Sequence, residues 1–153
     1  MKKKILIING PNLNLLGKRE ENIYGKKTLK DIQKLTEKLC HEDFGSVADL
    51  LWFQSNSESK IIDKIHSLVL SKKKSFDFLM INPAGLSHSS VILLDALLAL
   101  KIPIAEVHLT NPHNRESFRG QMLTAKAASL IMGGLGEFVY YFAVKALLSK
   151  YPN

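Results

Sequence analysis

Apolar residues fall along this chain in short, nearly unbroken runs that alternate with longer stretches where they recur every three or four positions. Five runs stand out: KILIIN (4–9), ADLLWFQ (48–54), FDFLMIN (76–82), IPIAEVHL (102–109) and AASLIM (127–132). Each ends near a turn signal and is followed by residues of helical period, the pattern of repeated βα units. The spacing predicts helices over roughly 28–43, 57–72, 89–100 and 135–150, with a short piece near 114–125. The first is announced by Thr28-Leu29-Lys30-Asp31, a capping-box-like start in which a hydroxyl and a carboxylate satisfy free backbone donors. Ile32, Leu35 and Leu39 then form its apolar stripe.

Strands that are apolar on both sides must be covered on both faces, and intervening helices do this for a parallel sheet. The expected architecture is a flavodoxin-like, doubly wound α/β sandwich with five strands in the order 2-1-3-4-5. Its 153 residues suit a single domain spanning 1–153, with no linker of shifted composition. Polar residues appear where the apolar strands finish: Asn9, Gln54-Ser55-Asn56, Asn82 and His108. In an open parallel sheet those carboxyl ends share one edge, where ligands bind, so four strand ends nominate one site.

Composition narrows the class without changing this picture. Hydrophobic residues at 46% and charged residues at 23% are globular values. The start MKKKILIING superficially suggests a signal peptide, but its apolar run, Ile5 to Ile8, is cut by Asn9, Gly10 and Pro11 and reads as a strand. The run from Val91 to Leu100 is interrupted by Asp95 and stopped by Lys101, too short for a membrane span, so a soluble chain is expected. Cys40 is the single cysteine, which excludes an intrachain disulfide and makes the cytoplasm the default compartment. A net charge of +7 invites a nucleic-acid reading, but the lysines gather at segment ends, 2–4 and 72–74, and are not interleaved with aromatics. Solvated surface with a bias toward anionic small molecules fits better.

Several motifs fail on spacing. GPNLNLLGKR has six residues between Gly10 and Gly17 where a phosphate-binding loop has four, and Arg19 stands where the magnesium-binding hydroxyl would be. Gly133-Gly134-Leu135-Gly136 lacks the spacing and the position of a dinucleotide fingerprint. Gly85-Leu86-Ser87-His88-Ser89 resembles a nucleophile elbow, which keeps a serine hydrolase as the runner-up enzyme. Its second glycine is missing, and Asp95, eight residues beyond Ser87, is a poor third member with His108 or His113. There is no HExxH, and Cys40-His41 makes a poor metal pair, so metal-free chemistry is expected.

INGPNLNLLGKREENIYG, from Ile8 to Gly25, combines several constrained demands. Asn9-Gly10-Pro11-Asn12 turns the chain tightly at a strand end. Gly17 and Gly25 then bracket a segment that reads as a hinged lid carrying a phenol, Tyr24, and a cation, Arg19. Taken singly these residues have plainer explanations. Tyr24 reads as an aromatic tucked into a loop, Arg19 as a partner of Glu20 or Glu21, His108 as a satisfied core histidine, Asn82 as a turn residue before Pro83, and His88 as an exposed loop residue.

Together they carry a resemblance. GPNLNLLGKRE with Tyr24-Gly25, QSNSE at 54–58, INPAGLSHSS at 81–90 with Asp95-Ala96-Leu97, and EVHLTN at 106–111 with Arg115-Glu116 and Phe118-Arg119 resemble the type II dehydroquinases, in that family's order. The resemblance implies a cofactor-independent hydro-lyase that converts 3-dehydroquinate to 3-dehydroshikimate through an enolate, on the shikimate route to chorismate and the aromatic amino acids. It places the base at Tyr24 with Arg19 beside it, the acid at His108 with Glu106 behind it, and Asn12 at the enolate through an ordered water. Asn82, His88, the backbone near Leu109 with the Thr110 hydroxyl, and Arg119 match its substrate contacts. Asp95 matches a residue that reaches a neighbouring subunit's site, which implies a homo-oligomer of trimers built into a dodecamer.

The base needs assistance on elementary grounds, because a free phenol with pKa ~10 is about one part in a thousand ionised at neutral pH. Arg19 is the cation this reading assigns to it. The chain departs from the family pattern at three places: Ala84-Gly85 reverses the usual order, Ser59 replaces a glycine, and Gly120-Gln121-Met122 replaces histidines and a serine. These put in question the loop at 84–86 and the packing of Arg119. Two other classes remain as alternatives. A type I dehydratase would need a lysine closing an apolar strand at the nominated edge, and an FMN carrier or receiver would need an acidic cluster where Asn-Gly-Pro-Asn stands.

Overall fold

The computed structural model describes residues 2–152. Five parallel strands, β1 (Lys3–Asn9), β2 (Ala48–Gln54), β3 (Phe78–Asn82), β4 (Ile104–His108) and β5 (Leu130–Gly133), form one sheet in the order β2-β1-β3-β4-β5, as the βα pattern predicts.

Alternation along β1 divides the core. Ile5 and Ile7 join Met80 and Val107 on one face, beneath Ile32 and Cys40 of helix α2 (Leu29–Phe44) and Val139, Ala143 and Leu147 of helix α6 (Val139–Lys150). Leu6 and Ile8 join Leu79 and Ile81 on the other, beneath Ile61 and Ile65 of α3 (Glu58–Val69) and Leu93, Ala96 and Leu97 of α5 (Val91–Leu98). Burying both faces explains why the strands read as continuous apolar runs. The start of α2 carries the full capping box: Thr28 Oγ1 accepts from the Asp31 amide at 3.1 Å, and Asp31 Oδ2 accepts from the Thr28 amide at 3.0 Å.

Three local expectations change. The stretch near 114–125 is not an α-helix but a pair of single 3₁₀ turns, Ser117–Gly120 and Thr124–Ala127. It holds Gly120 and too few apolar residues at helical spacing to bury a stripe. The helix expected over 89–100 is broken at Ser90, whose extended backbone separates a short α4 (Leu86–Ser89) from α5. Ser90 Oγ accepts from the Leu93 amide at 2.9 Å, capping α5, and donates to Glu58 at the start of α3. The lid contains a one-turn helix, α1 (Glu21–Tyr24), too short to show a period. Among the described residues, no helix is long and apolar enough to cross a membrane.

Candidate active site

The first three strand ends lie side by side. Asn9 is in register with Gln54 on β2 and with Asn82 on β3, so three polar side chains close three apolar strands along one line. The chain leaving β1 runs against the chain leaving β3: the Gly10 amide donates to the Asn82 carbonyl at 2.8 Å. A Cβ at Gly10 would sit 2.5 Å from the Pro83 carbonyl oxygen, so only glycine fits this approach. Beneath, Tyr140 of α6 is fully buried; its hydroxyl accepts from Asn82 Nδ2 at 3.0 Å and donates to Asn9 Oδ1 at 2.5 Å. Burial pushes the Tyr140 phenol well above its ordinary value, so it serves as a neutral hydrogen-bonding post. Asn12, in the left-handed region at φ 69°, is pinned by its amide to Asn56 Oδ1 at 2.9 Å, and Gln54 Nε2 donates to the same oxygen at 3.1 Å.

On β4, alternation places Glu106 and His108 on one face, and they meet at 2.7 Å between Oε1 and Nε2. Glu106 has no exposed surface. Its other partners are the Ser87 hydroxyl at 2.9 Å on Oε1 and the Thr124 hydroxyl at 2.8 Å on Oε2. A buried carboxylate is tolerable when its lone pairs are met in this way. The His88 ring stacks 6.4 Å from that of His108, and His88 Nδ1 lies 2.8 Å from the Gln121 carbonyl.

Gly17 and Gly25, at φ 79° and 81°, bend the chain on either side of α1, which turns half-buried Tyr24 inward. Here the geometry keeps Arg19 beside Tyr24 and adds a second guanidinium. Arg19 lies over the Tyr24 ring, its Cζ 5.0 Å from the centroid, and its Nε is buried without a hydrogen-bond partner. The phenol oxygen is instead met by Arg115, whose guanidinium donates at 2.6 Å while its Cζ stands 5.1 Å from the ring centroid. In sequence Arg115 stands beside Glu116 after EVHLTN, and nothing local ties it to Tyr24.

These groups converge on one cavity of about 180 Å³. Asn12, Arg19, Tyr24, Asn82, His88, His108, Leu109, Thr110 and Arg119 all line it, and Arg115 joins them. Glu106 lies beneath the wall, behind His108. Asp95 is not part of the lining; it is exposed on α5. Arg119 is held by Glu116, which accepts from its Nε at 2.7 Å. Three guanidiniums against one lining carboxylate, Glu20, give the cavity the charge that suits an anionic ligand. No cluster of three or more His, Cys, Asp or Glu side chains able to hold a metal occurs among the described residues.

The reversed dipeptide has a clear structural effect. Ala84, also lining the cavity, takes the left-handed conformation at φ 53°, while Gly85 sits at an ordinary φ of −60° with open space where a Cβ would lie. The loop keeps its hydrogen bonds, Ala84 amide to Asn82 Oδ1 at 3.2 Å among them. Ser59 pairs with the Ser57 hydroxyl at 2.9 Å, at the start of α3.

Comparison with known proteins gives a consistent answer. The family model described as dehydroquinase class II matches residues 3–148. A 3-dehydroquinate dehydratase of Clostridium botulinum (strain Okra) is 44% identical over 147 residues, covering 95% of each chain. One of Psychromonas ingrahamii is 45% identical over 151 residues, covering 98% of this chain and 96% of its own. Among solved structures, the type II dehydroquinase of Butyrivibrio crossotus superposes with a TM-score of 0.87 at 35% identity, over 95% of this chain and 97% of its own.

Proposed function

The chain belongs to the class II dehydroquinase family, and from that premise we propose how the side chains at its sheet edge divide the work. The protein is a 3-dehydroquinate dehydratase: it removes water from 3-dehydroquinate to give 3-dehydroshikimate, a hydro-lyase step of the shikimate pathway.

Tyr24, as phenolate, takes a proton from the carbon beside the ketone. The Arg115 donor at 2.6 Å and the Arg19 guanidinium over the ring place positive charge where the phenol oxygen must become negative. The electrons move onto the ketone oxygen as an enolate, and Asn12 serves that oxygen through a water. On collapse of the enolate the β-hydroxyl leaves, protonated by His108, whose ring is oriented by Glu106. Asn82, His88, Leu109, Thr110 and Arg119 hold the carboxylate and hydroxyls of the ring. The carrying observation is that an arginine-held phenol and a glutamate-held histidine line one small cavity.

The site is completed by a second copy of the chain. The face of α5 that carries exposed Asp95 also exposes Val91, Ile92 and Leu98 at 57%, 58% and 58%, a row of apolar side chains suited to burial against another subunit. Trimers in which Asp95 reaches a neighbouring cavity, assembled into a dodecamer, fit this surface. A reducing compartment such as the cytoplasm suits the one buried, unpaired cysteine, Cys40, whose thiol burial pushes up to about 11.

The deciding experiment mixes purified protein with 3-dehydroquinate and follows the absorbance of the conjugated enone product. Turnover that survives borohydride added with substrate is expected. A flat trace from folded protein overturns the assignment, and irreversible inactivation by borohydride overturns the enolate route in favour of a Schiff base.

A further inference from the structure

We infer that Ser87 and Thr124 are positioning residues for the acid step, because their hydroxyls fix Glu106 as a carboxylate and thereby decide which nitrogen of His108 carries the working proton. The inference rests on the dehydratase reading for its kinetic consequence and on the local geometry alone for its tautomeric one.

Three donors converge on Glu106: Ser87 Oγ at 2.9 Å and His108 Nε2 at 2.7 Å on one oxygen, and Thr124 Oγ1 at 2.8 Å on the other. Ser87 and Thr124 are themselves without exposed surface, so no water competes for their hydrogens. A protonated acid could keep all three partners only by donating to Nε2 or to a hydroxyl, whereas two buried hydroxyls that both donate to Glu106 favour the ionised glutamate. An ionised Glu106 accepts only from Nε2–H. Nδ1 is then the histidine nitrogen that gains and loses the proton, and among the described residues it has no protein hydrogen-bond partner.

The consequence is chemical. With the clamp intact, the protonated pair is imidazolium with glutamate, and Nδ1–H is a competent acid. It passes its proton to the leaving hydroxyl as the carbon–oxygen bond breaks, water departs, and neutral His108 keeps Nε2–H. The proton that Tyr24 took from carbon returns through solvent to His108, which closes the cycle without an external reagent. If Glu106 were to take the proton instead, it would donate to Nε2, and the pair would offer only the Nδ1–H of a neutral imidazole, a far weaker acid. Removing a hydroxyl donor therefore has two coupled effects. The pair holds its proton more tightly, moving the alkaline limb of kcat to higher pH, and less of that proton sits where it can be delivered.

The remaining groups around the pair are accounted for. Its strand neighbours Ile81 on β3 and Ile131 on β5 carry no charge. His88 stacks 6.4 Å from the His108 ring, and Arg19, Arg115, Arg119, Glu20 and Tyr24 face it across the cavity. None of these is among the hydrogen-bond partners of Glu106. Neither serine nor threonine announces this role in sequence, since Ser87 lies in the stretch that resembles a nucleophile elbow and Thr124 in a turn with no motif.

The test compares wild type with Thr124→Val, Thr124→Ser and Ser87→Ala, using steady-state kinetics across pH and ¹⁵N chemical shifts of the His108 ring. Thr124→Val is expected to lower kcat roughly tenfold with KM little changed and to move the alkaline limb upward. It should also convert part of the imidazolium signal of the protonated pair into that of a neutral Nδ1–H ring. Thr124→Ser should restore all three, and Ser87→Ala should reproduce the effect from the other oxygen. An unchanged ring signal and pH profile in folded Thr124→Val and Ser87→Ala overturns the inference, as does a loss of activity that Thr124→Ser does not relieve. A wild-type protein that fails to turn over 3-dehydroquinate defeats the functional reading alone, because the ring shifts still report on the clamp.

Discussion

The guanidinium of Arg115 donates to the hydroxyl of Tyr24 at 2.6 Å, joining two residues 91 positions apart and tying the lid to the segment after β4. Arg19 shares the ring but not the oxygen. Arg115→Ala is expected to lower kcat by at least ~10²-fold, comparable to Tyr24→Phe, because it removes both the charge and the donor from the oxygen proposed as base. Arg115→Lys should recover little of it, since a point charge cannot both stack on the ring and direct a donor at the oxygen. Initial-rate measurements on the two variants decide this; near-wild-type turnover in Arg115→Ala would remove Arg115 from the mechanism.

Ala84 and Gly85 stand in each other's natural places. A left-handed alanine costs about 1–2 kcal/mol, and a glycine with φ near −60° gives away unfolded-state entropy worth about 0.4–1 kcal/mol. In the double exchange Ala84→Gly with Gly85→Ala the glycine entropies cancel, so relief of the strain should raise the unfolding free energy by about 1–2 kcal/mol and Tm by roughly 2–8 °C. Calorimetry of the folded protein reads it directly. A fall in Tm would show that the Ala84 methyl, which packs on the core beneath, matters more than its backbone strain.

The capping box at the start of α2 gives a stability signature with pH. The backbone amide of Thr28, then its hydroxyl, hold the Asp31 carboxyl below the usual carboxylate range. A group whose folded value is depressed stabilises above its unfolded value and loses that contribution as pH falls through the folded one. The stability difference between wild type and Asp31→Asn should thus be constant near neutrality and shrink in acid below about pH 4. Urea titrations at a series of pH values test it, and a difference that grows on acidification contradicts the assignment.

The apolar row on α5 predicts an association that a point charge can break. Val91→Lys or Ile92→Lys should shift the protein to a smaller species in sedimentation, with loss of activity that follows dissociation. Asp95→Ala should weaken substrate binding while leaving assembly largely intact. A wild-type protein that sediments as a monomer at full activity would exclude a contribution from a neighbouring subunit.

Much of this is legible in the sequence, for a physical reason. A strand buried on both faces has no solvent side to accommodate polar residues, so Asn9, Asn82 and His108 stand out at the ends of apolar runs, and parallel topology brings those ends to one edge. Glu106 was readable as the partner of His108 because strand alternation fixes which side chains share a face. Arg115 was not, since proximity between a lid and a distant loop has no local period. The 114–125 stretch misled because it lies over the end of the sheet as successive 3₁₀ turns, held by contacts such as Thr124 to Glu106 and not by an apolar stripe. The strain at Ala84 was foreshadowed only as a reversal of order, and its sign needed a backbone angle.

Tyr140 joins Asn9 to Asn82 from 131 residues beyond the first of them. A chain emerging from the ribosome can therefore pair β1 with β3 and still lack the post that sets both asparagine side chains. The line of asparagines at the sheet edge is finished only when α6 docks. Synthesis order thus makes the finished edge a late event, and a fragment ending before Tyr140 would leave Asn9 without its side-chain partner while Asn82 kept only the Ala84 amide. The last helix to be made is thus the one that sets the ends of the first and third strands.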